Sequence, residues 1–89
     1  MTESLLEFPC SFPIKAFGSA ELGADSFAAL VFELVQPHVN ELRQEHLSLN
    51  PSKNGRFVAV TINITATSQQ QLDAIYQTLS AHERVVMSL

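Results

Sequence analysis

Phe57-Val58-Ala59-Val60-Thr61-Ile62-Asn63-Ile64-Thr65 is the stretch on which the fold turns. In an extended chain, Val58, Val60, Ile62 and Ile64 point to one side. Phe57, Ala59, Thr61, Asn63 and Thr65 point to the other, the two-residue period of a strand with one buried face. Six of the eight residues from Val58 to Thr65 are β-branched. Such side chains are stiff at χ1 and pack well on a pleated surface. The aliphatic side of this strand must be covered by something else in the chain.

Immediately upstream, Ser52-Lys53-Asn54-Gly55 reads as a turn, with Asn-Gly its strongest local signal. Before it, Leu47 and Leu49 alternate with His46 and Ser48 in a short strand closed by Asn50-Pro51. Further back, Phe12, Ile14 and Ala16 alternate with Pro13, Lys15 and Phe17, predicting a strand from Phe12 to Gly18. Residues 2–9 form a lead-in that Pro9 keeps from continuing as helix. Gly18 to Ala24 reads as a loop between two glycines. Asp25 or Ser26 then caps a helix with the stripe Phe27, Leu30, Val31, Leu34, Val35. Pro37 has no N–H to donate and ends that helix near Gln36. Asn40 to Gln44 reads as a polar connection.

Downstream, Ser68 with Gln71 three residues on matches a capping box. It opens a second helix striped by Leu72, Ile75, Tyr76 and Leu79, and Val85, Val86, Met87 and Leu89 supply a last strand. The order is βαββαβ over residues 1–89, read as one domain. Two helices laid on one face of a four-stranded antiparallel sheet bury both helical stripes at once. The expectation is therefore an α+β, ferredoxin-like sandwich with strand order 4-1-3-2.

Composition narrows the functions. Of 89 residues, 46% are hydrophobic and 16% charged, which predicts a globular core rather than a disordered tail. The net charge is −4, and Lys15, Arg43, Lys53, Arg56 and Arg84 are scattered singly. Neutralising phosphate needs clustered cations, so neither a nucleic-acid partner nor an anionic membrane fits. Gly55-Arg56-Phe57-Val58-Ala59-Val60 echoes the third-strand motif of RNA-recognition modules. Phe57 has no second ring on its strand, however, and the first strand offers only Phe17, so that reading fails. No run approaches the ~20 apolar residues of a membrane span. Cys10 is the single cysteine, so no intrachain disulfide forms, and the chain is read as cytoplasmic.

Leu5-Leu6-Glu7-Phe8-Pro9, then Phe12, Lys15 and Gly18, resemble the N-terminus of the YbeD family of small bacterial proteins of uncharacterised function. The likeness continues through Glu33, Val35, Gln36 and His38, Pro51-Ser52-Lys53, and Val58-Ala59-Val60-Thr61-Ile62-Asn63. It resumes at Ile75-Tyr76 and Val85 to Leu89. The resemblance implies a ferredoxin-like fold similar to ACT domains, regulatory modules that bind amino acids, and implies no known activity. In ACT-like modules the loop entering the first helix holds the ligand, which points to Gly18, Gly23 and Asp25 as ligand-binding candidates. The Asp-x-x-Gly-x-Leu type of signature is missing here, and turn geometry accounts for the glycines equally well.

No catalytic constellation is legible. His38, His46 and His82 lack the close ligand spacings of zinc sites, and nothing in sequence activates Cys10. The expectation is no catalytic residue, no metal and no cofactor. The more informative residues are Phe17 and Phe57, placed by alternation on the sheet side away from the helices. They are the candidate interface for a protein partner or a second copy of the chain. The leading reading is a non-enzymatic regulatory or adaptor module binding a small metabolite or a protein. A structural homo-oligomer without ligand is the alternative.

Overall fold

In the computed structural model, which describes residues 7–21, 23–51 and 55–89, the aliphatic side of the central strand is buried as its alternation requires. Val58, Val60, Ile62 and Ile64 are at most 4% exposed. The elements in chain order are β1 (Cys10–Ser19), α1 (Ala24–Val35), β2 (Leu47–Pro51), β3 (Phe57–Ala66), α2 (Gln69–Ser80) and β4 (Val85–Ser88). Short 3-10 turns at Gln36–His38 and Gln44–His46 lie between α1 and β2. The sheet is antiparallel with order β2-β3-β1-β4, the expected 4-1-3-2 arrangement. β1 and β3 are central and pair along ten residues, from Cys10 opposite Ala66 to Ser19 opposite Phe57.

Both helices lie on the side of Ile14, Ala16, Val58, Val60 and Ile62, each of them at most 1% exposed. α2 starts where Ser68 Oγ accepts the Gln71 N–H at 3.0 Å, satisfying one of the free donors of a helix start. The Gln71 side chain reaches one residue further back than a capping box requires. Its Oε1 accepts the Thr67 N–H at 2.7 Å, and its Nε2 donates to the His38 carbonyl at 2.9 Å. One glutamine thus ties α2 to the end of the first helical segment. Leu72, Ile75 and Leu79 form its buried face.

Several boundaries and one helix face differ from the sequence expectation. β1 runs two residues earlier and one later than Phe12 to Gly18, so Gly18 belongs to the strand rather than to the loop. α1 begins at Ala24, with Gly23 as its N-cap at φ 100 and no side-chain cap; neither Asp25 nor Ser26 caps it. A backbone at positive φ is what glycine supplies without strain. The buried face of α1 is Phe27, Ala28, Val31, Phe32 and Val35, with Leu30 and Leu34 half-buried. Few residues of α1 are polar, so its periodicity constrains the facing poorly. The segment read as a polar connection contributes Leu42 to the core, 9% exposed. Glu41 just before it sits in the left-handed region at φ 57, turning the chain. The expected turn at Ser52 to Asn54 lies outside the described residues, and Gly55 beyond it has φ 73.

Candidate functional site: the open sheet face

The side of the sheet away from the helices carries Phe17 on β1 and Phe57 on β3, as strand parity requires. Phe17 stands opposite Ala59, which places Phe57 on the adjacent diagonal, and Ser19 is opposite Phe57. Phe17 is half-buried and Phe57 is 50% exposed. Across the other edge of β1, Met87 stands directly opposite Phe17. Leu89 exchanges both backbone hydrogen bonds with Lys15, at 3.0 and 2.8 Å. Met87 is 51% and Leu89 59% exposed. A row of apolar side chains thus crosses three strands, from Phe57 through Phe17 to Met87, with Leu89 beside it. A shallow depression of about 360 Å³ between Ser19–Glu21 and Gly55–Phe57 adjoins its Phe57 end.

Sequence alternation points to only the two phenylalanines. Val85 is opposite Gly18 and buried, yet Met87 is opposite Phe17, because the register shifts between Phe17 and Gly18. The extra residue is Val86, left 66% exposed at the sheet edge. A bulge inserts one residue and reverses the parity of everything beyond it. Without it, Met87 and Leu89 would share Val85's side. The run Val85-Val86-Met87 alternates nothing, so the sequence holds no signal from which that bulge could be read.

The ligand-binding candidates have backbone reasons of their own. Gly18 is buried, and a Cβ there would meet the Phe27 ring and lie 2.7 Å from the Arg84 carbonyl oxygen. Gly23 holds the positive φ that opens α1. Asp25 is exposed in the first turn, where a carboxylate complements the helix dipole. Arg84, a scattered cation in the sequence, joins this region. Its Nη1 donates to Ser26 Oγ at 3.3 Å and its guanidinium carbon lies 5.9 Å from the Phe27 ring centre. Its Nη2 is buried with no hydrogen-bond partner among the described residues.

The histidines are engaged in local structure. Thr78 donates its hydroxyl to the Ala74 carbonyl at 2.8 Å. His38 Nε2 lies 3.0 Å from that same hydroxyl oxygen, within hydrogen-bond distance. His46 Nδ1 accepts the Arg43 N–H at 3.4 Å, and His82 Nδ1 accepts the Arg84 N–H at 3.2 Å. His38 and His46 line a half-open cleft of about 850 Å³ with Glu41, Asn63, Thr65 and Gln70. Among the described residues no three His, Cys, Asp or Glu side chains cluster closely enough to hold a metal ion. Cys10 is half-buried at the edge of the core. No described helix is long and apolar enough to cross a membrane.

Residues 3–89 match the model of a family described as "Protein of unknown function (DUF493)". The chain belongs to the DUF493 family. A UPF0250 protein of Chromobacterium violaceum is 42% identical over 87 residues, covering 98% of this chain and 94% of the relative. A UPF0250 protein of Ralstonia nicotianae is 39% identical over 87 residues, covering 98% and 87% respectively. The YbeD-like resemblance is thereby established over nearly the full length. The solution structure of protein HP0495 from H. pylori superposes with a TM-score of 0.73 at 18% identity. It covers 98% of this chain and 88% of that one, a likeness of fold. The family's description names no activity.

Proposed function

We propose that this DUF493 chain is a non-catalytic binding module that takes a protein partner on its open sheet face. The observation that carries this reading is the gathering of Phe17, Phe57, Met87 and Leu89 on the side the helices leave uncovered. Together their exposed parts make an apolar patch on the order of 300 Å², the size of the largest such patch on a typical monomer, which is often functional. Each ring or aliphatic chain taken fully out of water contributes roughly 1.5–3 kcal/mol, so the half still exposed on Phe57, Met87 and Leu89 is worth about 1 kcal/mol for each. The reading assigns no catalytic step. It needs only a rigid surface, which the ten-residue pairing of β1 with β3 supplies.

Photo-crosslinking in living bacterial cells tests this. The crosslinker p-benzoylphenylalanine replaces Phe57 in one variant and Gln77, exposed on α2, in another. A discrete adduct is expected from position 57 and not from 77, and adding Met87→Ser should weaken it. No adduct from 57, or the same adducts from both positions, would refute the reading.

A further inference from the structure

We draw no further inference here: the strongest candidate, the half-open cleft between the loop after α1, the end of β3 and the first turn of α2, sets the exposed carboxylate of Glu41 among exposed amide and hydroxyl side chains at the start of a helix, and nothing in the structure shows whether a cation, an anion or a neutral ligand would fill it.

Discussion

Ile62 and Thr61 are neighbours in sequence on opposite faces of β3, so one substitution placed at each measures what the sheet separates. Ile62 is fully buried against the helices. Ile62→Asp forfeits about 1.5–3 kcal/mol of apolar burial and adds an unpaired carboxylate whose effective burial cost is several kcal/mol. The sum is about 5 kcal/mol or more. A chain of 89 residues holds about 4–13 kcal/mol in total at ~0.05–0.15 kcal/mol per residue, so this variant should be largely unfolded. Thr61 is half-buried on the open face and stands directly opposite Lys15. Thr61→Asp gives up some β-propensity, on a scale spanning ~1 kcal/mol. It gains a cross-strand opposite-charge pair of roughly 0.2–1 kcal/mol, leaving a net change within about 1 kcal/mol. Urea melts followed by far-ultraviolet circular dichroism separate the two, and the Thr61→Asp midpoint should fall slightly as salt screens the new pair. Equal destabilisation of both variants, or greater loss in Thr61→Asp, would refute the assigned faces of β3 and with them the open-face patch.

Gly18→Ala should cost about 1–3 kcal/mol by overpacking, because the Arg84 carbonyl that the new Cβ meets is backbone and cannot swing aside; a melt unchanged from wild type would show that Gly18 is not packed as described. Ser68→Ala should cost about 1 kcal/mol in thermal or urea melts, since it removes the acceptor of the Gln71 N–H, whereas Gln70→Ala, exposed in the same turn, should change little. Desolvation by burial raises the Tyr76 phenol above its ordinary 10.0. The folded state therefore holds that proton more tightly than the unfolded chain, and the stability it contributes is complete below pH 10.0 and lost as pH climbs toward the raised folded value. Tyr76→Phe should flatten this alkaline decline in denaturation midpoints, and an unaltered decline would point to another group.

The element order, the sheet topology and the buried side of the strands follow from local patterns in the amino-acid sequence. Alternation at Val58, Val60, Ile62 and Ile64 and the helical stripe at Leu72, Ile75 and Leu79 are strong local periodicities, and burying both on each other leaves few topologies. The sequence also places Phe17 and Phe57 on the outer face, since side-chain parity in a regular strand is strictly local. α1 was less legible, because a helix apolar on most of its surface does not say which side turns inward. Tertiary packing alone buries Ala28 and Phe32 while leaving Leu30 and Leu34 only half-buried against the core, and brings in Leu42 from a segment with a polar sequence. It alone brought Met87 and Leu89 to Phe17 and Lys15, since the bulge at Val86 is set by how β4 pairs with β1 and leaves no periodic trace. The candidate surface is assembled from residues about seventy positions apart, and pairing between strands, unlike the parity within one, is a property of the whole chain.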